Sequence, residues 1–201
     1  MLMNEEGVIK FNCTWIKEKP IGIQWIEELN AWRQKMYEQY LIGATTDGVG
    51  YGNISIRFGK DSFLISGSGT GKIKHLTAEH YTKVTEYDID ANTLTAVGPI
   101  IASSESLTHA MIYACNKNIN AVIHVHHFQL WKKLLQTFPS SRKDVAYGTV
   151  AMAKEIQRLF AENKIDEHKL FAMGGHEEGI IAFGKNLQEA GEILLDQLKR
   201  L

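Results

Sequence analysis

The chain has 201 residues, of which 44% are hydrophobic and 22% are charged. This composition is typical of a globular domain and argues against disordered and fibrous architectures. Its 22 basic and 23 acidic residues give a net charge of −1, so the chain lacks the excess positive charge that nucleic acid or an anionic membrane would attract. We therefore expect neither nucleic acid nor a membrane as a partner.

Length and the first residues bear on domain organisation and location. A chain of this size fits one domain over 1–201, in which residues 1–20 show no clear pattern and are a candidate N-terminal arm. Residues 1–6 are acidic where a signal peptide is basic, and no apolar run approaches the roughly 20 residues that span a bilayer. Two cysteines, Cys13 and Cys115, are too few for a disulfide scaffold. The expected location is the cytoplasm.

Hydrophobic periodicity predicts a mixture of helices and strands. Apolar residues at steps of three and four indicate helices, and alternation of every second residue indicates strands. In chain order, the predicted elements are helix 23–41, strands 53–58, 62–66, 81–87 and 93–97, a helix entered through a serine cap at 103–104 and running to 114, strand 121–126, helix 149–160, strands 169–173 and 179–183, and helix 186–201 with an asparagine cap. Because this order lacks a regular βαβ rhythm, we expect an α/β fold in three αβα layers, with a central mixed, largely antiparallel sheet covered by helices on both faces.

The sharpest local motif is the pair His124 and His126, separated by one valine and followed by His127. On a strand, the side chains of His124 and His126 point to the same face, about 6.5–7 Å apart along the backbone. That spacing lets two imidazoles meet at one metal ion, although histidine pairs also occur as ordinary polar residues on strands. His127 points away from the pair, so we expect it to be structural.

Other metal-binding families that use His-x-His need further residues that this chain lacks. The cupin pattern requires a glutamate four or five positions after the pair, where Leu130 and Trp131 stand. The metallo-β-lactamase pattern His-x-His-x-Asp-His meets Phe128 and Gln129 instead. The chain is also short for the barrel of an amidohydrolase. None of these patterns fits.

Four further motifs accompany the histidine pair in order along the chain. They are Gly52-Asn53-Ile54-Ser55, Ser66-Gly67-Ser68-Gly69, Ser103-Ser104-Glu105 followed by His109, and His176 within the glycine-rich segment 174–184. Together with the pair, this series resembles the class II aldolase/adducin-head family of sugar-phosphate enzymes, from about Trp25 to the end of the chain. The resemblance implies one class II aldolase/adducin-like domain, a small sugar or sugar-phosphate substrate and a homo-oligomer, commonly a tetramer.

The resemblance also implies a role for each matching residue. His124, His126 and His176 match the zinc ligands of the family, with another divalent metal as an alternative. Glu105 matches a glutamate that contacts zinc or acts as an acid/base. The positions that cradle the substrate phosphate match Asn53, Ser68, Gly69, Ser103 and Ser104. Simpler alternatives are that Ser103 or Ser104 only caps a helix, that Asn53 and the glycines only form turns, and that His109 only packs.

The implied function is that of a zinc-dependent, aldolase-like lyase that cleaves a small ketose or sugar phosphate through a metal-stabilised enediolate. An epimerase or dehydratase of the same superfamily and a non-catalytic, adducin-like association module are the alternatives. Two departures from the family bear on this choice. Two glutamates follow His176 where aldolases have glycine, which leaves Glu178 as an alternative ligand. The segment before Tyr147 is shorter than in aldolases and lacks their catalytic tyrosine, for which Tyr147 and Tyr113 are the remaining candidates.

Overall fold

An eight-stranded sheet forms the centre of the protein in a computed structural model that describes residues 7–162 and 165–201. The strands are β1 (Asn12–Lys17), β2 (Gly43–Ala44), β3 (Gly50–Tyr51), β4 (Asn53–Arg57), β5 (Phe63–Ser66), β6 (Tyr81–Asp88), β7 (Thr93–Gly98), β8 (Ala121–His126), β9 (Leu170–Ala172) and β10 (Gly179–Gly184). The short strands β2 and β3 pair with each other, and the other eight form the sheet in the order β1-β7-β6-β5-β4-β8-β10-β9. The pair β1 and β7 is parallel, and every other pair of neighbours is antiparallel.

Helices cover both faces of this sheet. The α-helices of the described residues are α1 (Glu27–Glu38), α2 (Ser106–Cys115), α3 (Phe128–Thr137), α4 (Val150–Ala161) and α5 (Leu187–Lys199). Helices α2 and α4 pack in one apolar core with Val122 of β8. Helices α1, α3 and α5 pack in a second core with Ile123, the next residue on the same strand. Within residues 7–162 and 165–201, no helix combines the length and the apolar character needed to cross a membrane.

The predicted three-layer αβα fold with a largely antiparallel sheet is confirmed. Strand β1, the short strands β2 and β3, and helix α3 are absent from the prediction. Strand β1 lies within the candidate N-terminal arm, where it pairs with β7 at the edge of the sheet. Helix α3 follows the histidine strand directly, and its buried face holds Leu130 and Leu134, which are one helical turn apart.

The alternation of side chains along β8 determines where its histidines lie. Because Val122 faces the core of α2 and α4, His124 and His126 project from that same face. Strand β4 flanks β8 on one side, where Asn53 pairs with His124. Strand β10 flanks it on the other side, where Gly179 pairs with His126. The turn that enters β10 therefore lies beside the histidine pair.

Candidate metal centre

Three buried histidines converge at this end of β8. His124 and His126 come from the strand, and His176 comes from the turn before β10. One ring nitrogen of each lies within 4.8 Å of the corresponding nitrogens of the other two. The ring centroids are 5.0 Å apart for His124 and His126, 5.2 Å for His124 and His176, and 4.7 Å for His126 and His176. The structure thus brings together the three histidines that the sequence singled out as ligands.

Two glycines and a neighbouring loop fix the position of His176. Its N–H donates to the Met173 carbonyl at 3.2 Å, and its carbonyl accepts from the Gly179 N–H at 2.9 Å. Gly175 packs so closely on the segment before α4 that a Cβ at this position would collide with the carbonyl of Val145. Any larger residue would push this turn away from the segment, and His176 would move with it.

The protonation state of His124 suits a metal ligand. Its ring is fully buried, and burial, reinforced by His126, His176 and His109, lowers its pKa well below the ordinary value. The ring is therefore neutral at physiological pH, which is the form in which an imidazole nitrogen binds a metal. Among the residues that the structure describes, His124 Nε2 has no hydrogen-bond partner. A buried ring nitrogen of this kind is costly unless something occupies it.

Asn53 contacts this ligand directly. Its side-chain amide lies 3.3 Å from His124 Nδ1, while its oxygen has no partner in the described part of the chain. The oxygen and nitrogen of an asparagine side-chain amide have nearly the same shape, so the atom that faces a neighbour is assigned from the hydrogen bond it can make. With the oxygen facing Nδ1, the Asn53 carbonyl accepts from the His124 Nδ1–H, and Nε2 keeps its lone pair. This arrangement is the usual way in which a second residue orients a metal-binding histidine.

The donor set fits a catalytic metal site. Three imidazoles with converging nitrogens match the ligand number and type that bind Zn²⁺ while leaving one position open. The same nitrogens also suit other divalent first-row metals. Glu178, the alternative ligand, does not belong to the cluster of the described residues. It holds the turn instead, with a left-handed φ of 67° and a carbonyl that accepts from the His127 N–H.

Glu105 lies at the edge of the three histidines. Its carboxylate is 3.6 Å from His176 Nδ1, and the residue is only 1% exposed. It stands as the N-cap of α2, so the predicted serine cap at 103–104 is wrong. The Ser103 hydroxyl accepts instead from the Glu105 N–H at 3.4 Å, which fixes the approach of the chain to the site.

Two loops bring the other predicted binding residues close to one another. Ser68 and Gly69 lie beside the segment that leads into Ser103 and Ser104. The Ser68 N–H donates to the Ile101 carbonyl at 3.0 Å, and the neighbouring residues Gly67 and Ala102 form an isolated β-bridge. Gly69 has a left-handed φ of 71°, and a Cβ there would meet no atom within 4 Å. These four residues, here called the rim, lie beside one another on the approach to Glu105, with Gly69 exposed and both Ser103 and Ser104 buried. Asn53 reaches His124, as described above.

Two tyrosines that the sequence does not place at the site flank the histidines. The Tyr51 ring stacks on His126 with centroids 4.9 Å apart, and the Tyr147 ring stacks on His176 at 4.3 Å. In the sequence, Tyr147 is a candidate only as a replacement for a missing catalytic tyrosine. Tyr113, the other candidate for that replacement, lies elsewhere, because its hydroxyl bonds to Ser55 at 2.8 Å inside the core. Of the two, the structure places Tyr147 beside the histidines.

Two other histidines near the site, His127 and His109, have structural positions. His127 is the N-cap of α3, where its Nδ1 accepts from the Leu130 N–H at 3.1 Å. His109 is fully buried on α2, with its Nδ1 2.7 Å from the Ser55 hydroxyl. Burial lowers the pKa of His109 to about 3. It therefore stays neutral in the folded protein over the whole physiological range.

This burial predicts that His109 makes the metal-free protein sensitive to acid. The unfolded chain binds a proton on His109 below about pH 6.5 while the folded chain does not until about pH 3, so stability falls as the pH drops through this window. Between pH 8 and pH 5 the loss from this group should be about 2 kcal/mol. Urea unfolding in the presence of a chelator should show that His109→Gln removes this part of the loss. The exposed His168→Gln is the control and should leave the pH dependence unchanged, and parallel curves for wild type and His109→Gln would refute the prediction.

The fold and the site together define an αβα protein with three buried histidines arranged around one point. Its residues 34–195 match the family model of the Class II Aldolase and Adducin N-terminal domain. The chain belongs to this family, which confirms the resemblance indicated by its motifs.

Individual relatives agree with this assignment. An L-fuculose phosphate aldolase of Methanocaldococcus jannaschii is 28% identical over 160 residues, which are 79% of this chain and 71% of that protein. The structure of an L-fuculose 1-phosphate aldolase matches with a TM-score of 0.67 and 20% identity over 90% of this chain and 84% of its own. The L-fuculose-1-phosphate aldolase from Thermus thermophilus gives a TM-score of 0.65 and 21% identity over 89% of this chain and 91% of its own. At these identities the structural matches establish the fold.

Proposed function

We propose that this protein is a metal-dependent lyase of the class II aldolase type that cleaves a small sugar phosphate. The observation that carries the proposal is the buried group of His124, His126 and His176 with the Glu105 carboxylate 3.6 Å from one of its rings. A scaffold that only associates with other proteins has no need of three converging, buried imidazoles. The two relatives named as fuculose phosphate aldolases support a phosphorylated ketose as the substrate.

The metal proposed for this site is zinc, held by the three histidines. A divalent cation there supplies Lewis-acid polarisation of a substrate carbonyl. Glu105 is the proposed acid/base, because it is buried beside the histidines and a carboxylate in that position can accept a proton from the reacting carbon or return it. Asn53 holds His124 in one orientation through their 3.3 Å contact.

The rim formed by Ser68, Gly69, Ser103 and Ser104 is the proposed site for the substrate phosphate. Hydroxyl groups and accessible backbone N–H groups bind phosphate oxygens, and the rim leads into the first turn of α2, where the helix dipole favours an anion. Asn53 completes this set, as the resemblance implies. Holding the phosphate away from the histidines would orient the carbon chain across the site.

Product analysis tests the reaction. Zinc-loaded protein should be incubated with a panel of ketose 1-phosphates, including L-fuculose 1-phosphate, and with unphosphorylated ketoses. A lyase should yield a three-carbon keto phosphate and an aldehyde, whereas an epimerase keeps the carbon skeleton and a dehydratase loses water. Isomerised or dehydrated product would replace the proposal by one of these reactions. No turnover of any substrate by zinc-loaded protein would favour the association module.

Two further proposals concern the whole protein. We expect a homo-oligomer, specifically a tetramer, because the family resemblance implies one, and sedimentation equilibrium would measure it. The cytoplasm is the proposed location. Fractionation of cells that express the protein at its natural level would test that location.

A further inference from the structure

The N-terminal segment passes along one side of the proposed site. Residues 7–11, here called the strap, precede strand β1. At one end, Gly7 lies against the loop before β4, where a Cβ would be 3.5 Å from a Val49 side-chain carbon. At the other end, the Lys10 ammonium lies 4.1 Å from the centre of the Tyr147 ring. The strap therefore connects two segments whose tyrosines stack on the histidines.

The backbone of Lys10 is held on both sides. The Asn92 side chain donates to the Lys10 carbonyl at 3.0 Å, and the Asn12 N–H donates to the Asn92 carbonyl at 2.9 Å. The next residue, Phe11, is buried in the core beneath α2 and α4. From this fixed backbone, the Lys10 side chain reaches the Tyr147 ring. Its ammonium group is thus presented from a fixed point rather than from a free arm.

Tyr147 lies between Lys10 and the histidines. His176 stacks on the Tyr147 ring at 4.3 Å, with an angle of 27° between the two planes. The Tyr147 ring therefore contacts both the Lys10 ammonium and one of the three histidines, and it links the strap to the proposed site.

The two segments that the strap contacts also pack against the proposed phosphate rim. Gly50, which follows Val49, packs against the Gly69 carbonyl, where a Cβ would be 3.0 Å from the oxygen. Gly148, which follows Tyr147, packs against the Ser104 carbonyl, where a Cβ would be 2.7 Å from the oxygen. Val49 and Tyr147, which contact the strap, are therefore each followed directly by a glycine that contacts the rim.

The rim itself offers only neutral donors. Ser68, Gly69, Ser103, Ser104 and Asn53 carry no charge, whereas a phosphate monoester carries close to two negative charges at neutral pH. Neutral donors bind an anion more weakly than a lysine does, because a charge-assisted hydrogen bond is the stronger kind.

We propose that Lys10 supplies the positive charge that binds the substrate phosphate at this rim, which rests on the proposed function above. Tyr147 holds the ammonium in place through its ring, and the strap makes Lys10 a specificity-determining residue for anionic substrates. A sugar without phosphate gains nothing from this charge. The phosphate end thus faces the strap while the rest of the sugar extends to the histidines.

Titration of inorganic phosphate tests this assignment without requiring turnover. Calorimetry at constant ionic strength should compare wild type, Lys10→Met and Lys10→Arg, each in zinc-loaded and chelator-treated form. We expect Lys10→Met to weaken phosphate binding roughly 10- to 100-fold in both forms, and Lys10→Arg to stay within a few-fold of wild type. Lys19→Met, which removes an exposed lysine of the same terminal segment, is the matched control and should bind phosphate as wild type does.

Three other results would overturn the assignment, and a fourth would overturn only the proposed reaction. Equal phosphate binding by wild type and Lys10→Met would exclude Lys10, provided circular dichroism shows both folded. Absence of phosphate binding in wild type would exclude the rim, and a parallel titration with acetate that alone depends on Lys10 would show that the anion is a carboxylate. If phosphate binding depends on Lys10 but the substrate panel gives no cleavage, the anion site stands and the proposed lyase reaction fails.

Discussion

Replacing His124 or His176 with alanine should leave the purified protein without its metal, whereas wild type should carry about one zinc per chain. The two histidines come from different elements, strand β8 and the turn before β10, and each supplies one nitrogen to the cluster. Loss of a residue that merely orients a metal ligand already lowers metal affinity about 10- to 100-fold. Loss of a ligand itself should cost more, so that dialysed protein retains little metal.

Mass spectrometry of metal content measures this effect directly. His75→Ala is the matched control, because it also removes one imidazole but from an exposed position, and it should keep the wild-type content. Thermal unfolding of each variant should accompany the measurement, since His124 is fully buried and its removal leaves a cavity. Wild-type protein that stays metal-free after zinc is offered at neutral pH would contradict both the site and the proposed lyase.

The sequence could place two of these three histidines by local geometry alone. A strand alternates its side chains, so His124 and His126 have to share a face if 121–126 is a strand. Nothing local connects them to His176, which lies 50 residues further on in a turn. That link comes from the order of motifs in a known family. In the structure it depends on β10 pairing with β8, a long-range contact.

The stacking tyrosines show why the rest of the site cannot be predicted from the sequence. Tyr51 and Tyr147 have no motif of their own, and their contacts with His126 and His176 arise from loops packed by the tertiary fold. Strand β1 escapes prediction for a similar reason. Its residues are mostly exposed and show no alternation, and the strand with which it pairs, β7, lies about 80 residues away. Helix α3 does carry a local signal in its buried leucines, but two apolar residues one turn apart are too short a pattern to define a helix.

Glu105→Gln should lower the turnover number for sugar-phosphate cleavage roughly 10²- to 10⁴-fold, the usual range for loss of a general acid or base. Glutamine keeps the shape of the side chain at this 1% exposed position but cannot accept a proton from the substrate. The KM should change little, because the phosphate is bound by other residues. Glu177→Gln, an exposed neighbour of His176, is the matched control and should retain wild-type turnover.

Metal content separates the two roles that the resemblance allows for Glu105. An acid/base acts on the substrate, so Glu105→Gln should keep about as much zinc as wild type while turnover falls. A metal ligand would instead lose zinc together with activity, and excess zinc would restore part of the rate. The 3.6 Å separation between the Glu105 carboxylate and His176 leaves it beside the histidines without making it one of the cluster. Full turnover in Glu105→Gln would assign the proton transfer to another group, and Tyr147 is the next one to test because its ring stacks on the same histidine.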